Sequence, residues 1–287
     1  SASFIAYASE LAPMTEWVAS MASAVIVHSS WALERITKAC PGPVSVVPLP
    51  YDAPCLQATP KTAYRRTKGI VALTIGHVNR NKRYAEIIRA IGSSSVLRED
   101  VSYRIVGPIE PDMDKQLRLL AMNMGVDVEI VGEVDNNRLI SEICDADIMC
   151  CLRWPALESA SASTIEAMLY GKPTLVTDTG FYRDLPDECV LKISPEAETE
   201  DIRRHLECLL ASPEMGTTIG RSAQRYAQET FRADRYAKHL IGMTRLIDQA
   251  AMVNRAAERF SRQLAAWGGK HDAAILNKIA VPLAIIR

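Results

Sequence analysis

The sequence predicts an α/β domain built on a doubly wound parallel sheet. Apolar runs of strand length alternate with helical patterns over residues 70–231. The strand runs are continuously apolar, which is typical of parallel strands that helices cover on both faces. The chain has 287 residues, 48% of them hydrophobic, and this is enough for a sizeable core in one large or two ordinary domains.

The first part of the chain predicts a short α-β-α-β sequence. A helical pattern covers about 9–21, the β-branched run AVIVHS covers 24–29, a helix follows over WALERITKAC, and the strand VSVVPLP covers 44–50. These four elements are too few to form a domain alone. The polar, proline-punctuated stretch 51–69 then predicts a linker.

From residue 70 onward, strands and helices alternate regularly. Strands are predicted at IVALTIG (70–76), VSYRIVG (101–107), VEIVG (128–132), DIMCCLR (147–153), KPTLVTD (172–178) and ECVLKIS (188–194). The predicted helices are KRYAEIIRAIGSS, DKQLRLLAMNMG, NRLISEICDA, STIEAMLYG, EDIRRHLECLLASP and GTTIGRSAQRYAQETF. A glycine ends two of these helices, as is common at helix C-termini.

The tail from about 233 is helical in pattern and ends in the apolar stretch AILNKIAVPLAIIR. Core packing or contact with a partner explains such a stretch, and a helix on a membrane surface is the alternative. The apolar runs are too short to cross a bilayer. The sequence opens without a methionine and reads like the middle of a protein, so we expect it to be a piece of a longer chain.

Charge and cysteine content narrow the class of protein. The chain carries 33 basic and 34 acidic residues, a formal net charge of -1, which does not indicate a nucleic-acid-binding surface. Its seven cysteines form no CxxC pair. An odd number of cysteines, several inside apolar runs, favours a reduced cytosolic protein.

Two loops at the predicted carboxyl edge of the sheet carry candidate site residues, since doubly wound sheets bind ligands at that edge. The first, IGHVNRNKRY (75–84), leaves its strand at Gly76. Arg80, Lys82 and Arg83 then place cations beside a helix N-terminus, a combination that suits a diphosphate. A solvated basic loop is the equal alternative, because the loop matches neither GxxxxGK[ST] nor GxGxxG.

The second loop, within PALESASASTIEAMLYGKPTLVTDTG, carries two glutamates eight residues apart, Glu158 and Glu166. Small residues between them would let backbone N–H groups approach a ligand closely. Two carboxylates that face hydroxyl groups indicate a sugar site better than a phosphate site. Spacing alone favours two simpler alternatives: a capping box over Ser163–Glu166, and a surface carboxylate at Glu158.

The run PALESASASTIEAMLYGKPTLVTDTGFYRDLP resembles the signature of retaining GT-B glycosyltransferases, in the family called glycosyl transferases group 1. There, two glutamates separated by seven residues precede a helix–turn–strand. IGHVNRNKRYAEIIRAI is similar to the family's diphosphate-binding segment, with Lys82 in the lysine position. VEIVGEVDNNRLISEICDADIMCCL resembles the segment that lines the nucleobase, and VIVHSSWALERI resembles the end of the N-terminal domain.

This resemblance implies a GT-B architecture of two Rossmann-like domains. Residues 1–58 would end the N-terminal domain, 59–232 would form the nucleotide-sugar-binding domain, and 233–287 would form a helical segment packing back toward the N-terminal part. The implied reaction moves a hexose from a UDP- or GDP-sugar to a glycan, lipid or polysaccharide precursor. It retains anomeric configuration and needs no metal or other cofactor. A cytoplasmic protein is implied, with a peripheral position at the inner face of the membrane as the alternative.

The resemblance also assigns roles by position. Lys82 would neutralise the diphosphate leaving group and Glu158 would bind the donor sugar, so both are predicted to be catalytic. Substrate-binding roles go to Glu166 at the ribose, to Ser161 and Ala162 at the sugar, and to Val134 and Leu139 at the base. Gly76 and Arg80 are predicted to bind substrate from the pattern of the first loop.

The chain departs from the family pattern in three ways. His77 stands where the family has arginine, with Arg80 or Arg83 as substitutes, and Ser159-Ala160-Ser161 replaces Gly-Phe-Gly. By this resemblance we also expect about the first half of a GT-B chain to be missing, and the acceptor site would lie there. A nucleotide-sugar-binding or scaffolding domain without turnover is therefore one alternative function, and a sugar-nucleotide epimerase is another.

Other motifs are set aside. Asp145-Ala146-Asp147 matches the DxD metal–diphosphate signature but ends a predicted helix and starts a strand. The histidines show no metal-ligand spacing, so no metal ligand is predicted. His28 is expected to pack or to form a hydrogen bond.

Overall fold

The structure, a computed structural model, describes residues 15–51 and 69–266. Within these ranges the chain forms two compact units: 15–48 with 234–266, and 49–51 with 69–233. Most of the predicted linker, its boundary at residue 58, and the apolar end of the tail lie outside the described residues.

The elements in chain order are α1 (Thr15–Met21), β1 (Val25–Val27), α2 (Leu33–Ala39), β2 (Val44–Val46), β3 (Ile70–Ile75), α3 (Tyr84–Gly92), α4 (Ser95–Asp100), β4 (Val101–Val106), α5 (Pro111–Met124), β5 (Asp127–Gly132), α6 (Asn136–Asp145), β6 (Ile148–Cys151), α7 (Ala162–Leu169), β7 (Thr174–Thr177), β8 (Leu191–Ile193), α8 (Glu198–Ala211), α9 (Pro213–Thr230) and α10 (Ala233–Ala266).

The first unit contains a two-stranded parallel sheet in which β1 pairs with β2. Helices α1, α2 and α10 belong to the same unit. Ser45 in β2 donates a hydrogen bond to the sulfur of Met243 in α10 at 3.1 Å. His28 forms a 2.9 Å hydrogen bond with the Val47 carbonyl, the kind of structural role expected for it.

The second unit is a six-stranded parallel sheet in the order β5-β4-β3-β6-β7-β8. The chain starts in the middle at β3, moves outward through β4 to β5, and returns to place β6 on the other side of β3. The direction of winding therefore reverses between β3 and β6. The predicted doubly wound α/β fold is confirmed, and the reversal marks the place where such sheets bind ligands.

Helices cover both faces of this sheet, because its strand residues are apolar on both sides. Helices α3, α4, α5 and α8 pack on one face, and α6, α7 and α9 pack on the other. Adjacent residues of one strand point in opposite directions: Cys150 belongs to the first core and Cys151 to the second. The six predicted strands are all present.

One helix was not predicted from the sequence, and one aspartate of the DxD motif has a structural role. Helix α4 was not predicted; it has six residues, too few for a periodic pattern, and begins where the Leu97 N–H donates to the Ser94 hydroxyl. The DxD aspartate Asp147 accepts a 2.9 Å hydrogen bond from the Val71 backbone at the start of β3. It therefore lies at the edge of the sheet opposite to the predicted site.

None of the helices that the structure describes combines the length and the apolar character needed to cross a bilayer.

Candidate functional site

The candidate site lies at the carboxyl ends of β3 and β6, where the winding of the sheet reverses. The loop after β6 is hydrogen-bonded to the loop after β3, since the Trp154 N–H donates to the Asn81 carbonyl at 2.8 Å. It is also tied to β7, because the Arg153 N–H donates to the Thr177 hydroxyl at 3.0 Å. These bonds hold the two predicted loops side by side.

Lys82 ends a single 3₁₀ turn, Arg80–Lys82, which folds back over the end of β3. Its side chain is buried, with 7% of the residue exposed, and the ammonium donates to the Ile75 carbonyl at 2.9 Å. Gly76 makes room for it: Gly76 has φ +87°, and an added Cβ would lie 2.9 Å from the Lys82 nitrogen. Both the backbone conformation and the close approach require glycine here.

The surroundings of Lys82 in the folded protein disfavour the charged form of its side chain. The pKa of Lys82 is lowered from 10.5 to about 8, first by burial and then by the neighbouring charge of Arg153, while Cys151 and Glu158 act in the opposite direction. Within residues 15–51 and 69–266, Lys82 has no ion-pair partner. A buried cation without a carboxylate partner is typical of a site that receives an anion.

Arg153 was not predicted as a site residue, yet it lies at the centre of this cluster. Its Nε donates to Glu158 at 2.7 Å, and its Nη1 donates to the Leu152 carbonyl at 2.8 Å. Only 6% of Arg153 is exposed, whereas 44% of the Glu158 side chain is exposed. The structure thus brings Lys82, Arg153 and Glu158 together. The sequence signal was available, because an arginine that ends an apolar strand run points toward the ligand edge of the sheet.

Glu166 is not part of a capping box, contrary to the simpler alternative from the sequence. Helix α7 begins at Ala162, and the Ser161 carbonyl accepts its first hydrogen bond from Ile165 at 3.0 Å. Glu166 therefore lies in the second turn, too far along the helix to reach back to the capping N–H.

The Glu166 carboxylate instead interacts with Tyr51. Burial raises the pKa of Glu166, and a hydrogen bond from the Tyr51 phenol lowers it in part. Burial, followed by the charge of Glu166, raises the pKa of Tyr51 to about 12. The Tyr51 N–H donates to the Phe231 carbonyl at 2.9 Å, which fixes the backbone that presents the phenol. No local pattern could have identified Tyr51, since it meets Glu166 only through the fold.

Ser161 and Ala162 lie at the N-terminus of α7, as predicted. Ser161 is buried, and its hydroxyl accepts a 3.1 Å hydrogen bond from Thr164, while Ala162 is exposed. The first N–H groups of a helix lack partners inside it and favour anionic or hydroxyl oxygens. This end of α7 meets the cationic cluster through Cys151, whose thiol pKa is raised by burial and lowered by Thr164, Arg153, Ser163 and Lys82.

Val134 and Leu139 lie beyond the end of β5, in the loop before α6 and in its first turn. Both are half-buried and pack on the core beneath α6 and α7. They are therefore on the same edge of the sheet as Lys82, separated from it by β4.

Arg80 and Arg83, the predicted substitutes for the family's arginine, face elsewhere. Arg80 is exposed and lines a cavity of about 360 Å³ whose walls include Arg89, Met113 and Gln116. Arg83 adopts a left-handed conformation with φ 60°, and its guanidinium binds Glu198 at 2.6 and 2.9 Å. In the described residues, neither arginine is bonded to Lys82, Arg153 or Glu158.

The described part of the chain contains no group of three or more metal-ligating side chains.

Comparison with known proteins identifies a family. The model of the family "Glycosyl transferases group 1" matches residues 59–226, more than half of the chain. No curated protein matches.

Solved structures share the fold. HepE of Anabaena, solved with UDP and glucose, is 20% identical with a TM-score of 0.66; the match covers 84% of this chain and 68% of HepE. Sucrose-phosphate synthase of Thermosynechococcus elongatus is 20% identical with a TM-score of 0.63, covering 80% of this chain and 59% of the synthase. WaaG, a glycosyltransferase involved in lipopolysaccharide biosynthesis, is 19% identical with a TM-score of 0.59, covering 71% of this chain and 58% of WaaG. The chain thus spans under two thirds of the synthase and of WaaG.

Proposed function

The chain belongs to the glycosyl transferases group 1 family, and from that membership we propose that it transfers a hexose from a UDP- or GDP-sugar. The acceptor is a hydroxyl of a glycan, lipid or polysaccharide precursor, and anomeric configuration is retained. One observation carries the proposal: a buried ammonium and an α7 N-terminus meet at the switch point of a Rossmann-like sheet. HepE, which shares this fold, was solved with UDP and glucose.

Lys82 is the proposed electrostatic catalyst. As the bond between the sugar and the diphosphate breaks, negative charge collects on the departing phosphate oxygens. A fixed ammonium stabilises that charge without rearrangement, and the low-dielectric surroundings of Lys82 strengthen the effect. The hydrogen bond to the Ile75 carbonyl and the glycine at position 76 hold the ammonium in place before the donor arrives.

The two glutamates are proposed to bind hydroxyl groups. Glu158 uses one carboxylate oxygen for Arg153, and its partly exposed side chain leaves the other for the donor sugar. Glu166 is proposed to bind the ribose hydroxyls beside Tyr51. The N–H groups at Ser161 and Ala162 would contact the sugar, and Val134 and Leu139 would border the base.

The proposal includes no metal, because the ammonium takes the place of a divalent cation at the diphosphate. The proposed location is the cytoplasm, at the inner face of the membrane where the acceptor is lipid-linked.

Calorimetric titration of UDP, GDP and their sugars tests the proposal on the wild type and on Lys82→Met. We expect a wild-type Kd in the micromolar range, at least about tenfold weaker binding in Lys82→Met, and no effect of EDTA. Lys115→Met is the matched control, since Lys115 is exposed on α5. The proposal is wrong if the wild type binds neither nucleotide.

Turnover distinguishes a transferase from a binding domain. Release of free nucleotide from the preferred donor, with an α-linked product from an α-linked donor by proton NMR, is the expected result. Tight donor binding without nucleotide release, across lipid and glycan acceptors, would favour the binding or scaffolding alternative. Interconversion of the free sugar nucleotide would favour the epimerase.

A further inference from the structure

The first loop does not supply the second positive charge that a diphosphate site needs. His77 follows Gly76 and is exposed, Arg80 is exposed beside a separate cavity, and Arg83 is bound to Glu198. Building on the proposed function, we propose that Arg153, in the loop after β6, binds the donor diphosphate together with Lys82.

Hydrogen bonds fix both the backbone and the side chain of Arg153. Its backbone N–H is bonded to Thr177 at the end of β7, and its Nη1 is bonded to the Leu152 carbonyl. The next residue, Trp154, is bonded to Asn81 in the turn that carries Lys82. Buried and anchored at both ends, the guanidinium is pre-organised beside the ammonium, which lowers the entropic cost of binding.

The charges of the cluster do not balance. Lys82 and Arg153 are both buried. Among the described residues, Arg153 forms an ion pair with Glu158, and Lys82 forms none. The Lys82 ammonium is satisfied by a carbonyl oxygen alone. One positive charge is therefore left uncompensated in a desolvated place, and an anion would compensate it.

The hydrogen-bonding capacity of Arg153 leads to the same conclusion. A guanidinium has five N–H groups in a planar fork that matches phosphate oxygens. Two of them are used by Glu158 and Leu152, and the other three make no hydrogen bond in residues 15–51 and 69–266. A lysine at this position would satisfy the same carboxylate without offering a fork.

A purely structural Arg153–Glu158 pair is the competing explanation, and two variants separate it. If Arg153 only holds Glu158 in place, Arg153→Met and Glu158→Gln should weaken binding of UDP alike. If Arg153 binds the diphosphate, Glu158→Gln removes a competitor for the guanidinium. UDP binding should then weaken in Arg153→Met and stay equal or become tighter in Glu158→Gln.

The experiment measures the binding of UDP and of uridine to the full chain. UDP is titrated by calorimetry, and uridine by ligand-observed NMR. If the wild type prefers the guanine nucleotide, GDP and guanosine take their places. Arg153→Met should weaken UDP binding by about tenfold or more, which corresponds to about 1.4 kcal/mol or more. Uridine binding should stay within about twofold, since uridine lacks the phosphate oxygens that the guanidinium would contact. Arg153→Lys should recover part of the loss. Arg80→Met should change UDP binding by less than about threefold.

Several outcomes overturn the inference. They are unchanged UDP binding in Arg153→Met, an equal loss of UDP and uridine, or a larger effect of Arg80→Met than of Arg153→Met. If Arg153→Met does not fold, as judged by circular dichroism, the opposite effects expected of Arg153→Lys and Glu158→Gln decide the question. A wild type that binds no nucleotide refutes the proposed function itself, whereas a wild type that binds UDP independently of Arg153 refutes this inference alone.

Discussion

Replacement of Lys82 by methionine should stabilise the ligand-free protein while it weakens donor binding. The ammonium is buried, and its pKa falls from 10.5 to about 8 on folding. This difference means that the fold disfavours the charged form by about 3 kcal/mol at neutral pH. Methionine has a similar length and no charge, so it avoids that cost.

The expected net gain in the free energy of unfolding is smaller than this electrostatic cost. Lys82→Met loses the hydrogen bond to the Ile75 carbonyl, which subtracts about 1–2 kcal/mol. We therefore expect the variant to be more stable than the wild type by about 1–2 kcal/mol at neutral pH. For a domain of this size, this corresponds to a rise in Tm of about 2–8 °C.

The pH dependence identifies the cause. Between pH 8 and 10.5 the unfolded chain holds a proton on Lys82 that the folded chain has released. Wild-type stability therefore gains relative to the variant as pH rises through this window. The advantage of Lys82→Met should be about 2 kcal/mol smaller at about pH 9.5 than at neutral pH.

Urea denaturation at both pH values measures these differences. The matched control Lys115→Met, at an exposed position on α5, should change the free energy of unfolding by less than about 0.5 kcal/mol at either pH. If Lys82→Met is less stable than the wild type at neutral pH, or its difference is the same at both pH values, the ammonium is not desolvated. Its role would then be structural.

Three further predictions concern the same site. UDP affinity should be constant up to about pH 7.5 and about eightfold weaker at about pH 9, because free Lys82 loses its proton near pH 8. The UDP affinity of Lys82→Met should not change with pH in this range. A wild-type affinity that is likewise independent of pH would contradict the prediction. Tyr51→Phe should raise the pKa of Glu166, since it removes the hydrogen bond that lowers it but leaves the burial; a carbon-13 carboxyl titration that shows no rise would exclude the interaction. Gly76→Ala should cost about 1–3 kcal/mol of stability and weaken UDP binding, because Gly76 has φ +87° and an added Cβ would lie 2.9 Å from the Lys82 nitrogen. The control Gly242→Ala lies in α10 with open space around it, and urea denaturation should show it to be neutral or stabilising.

The architecture was largely predictable from local patterns. Each strand of the second unit lies in a short segment rich in apolar residues, and each long helix has its own periodicity, so the order of elements and the doubly wound class follow without tertiary contacts. Helix α4 was missed because six residues do not show a period. The capping-box alternative was wrong because helix α7 begins two residues earlier than the box requires.

The amino-acid sequence by itself determined the fold class, the family and the placement of Lys82, Glu158 and Glu166 at the ligand edge of the sheet. These depend on residue type and on spacing within one loop. The tertiary structure decided which side chains accompany them. Arg153 meets Lys82 only because β3 and β6 are neighbours, and Tyr51 meets Glu166 only because the chain after β2 returns to α9 and α7. Burial, which lowers the pKa of Lys82, is likewise a property of the packed core and not of the residue.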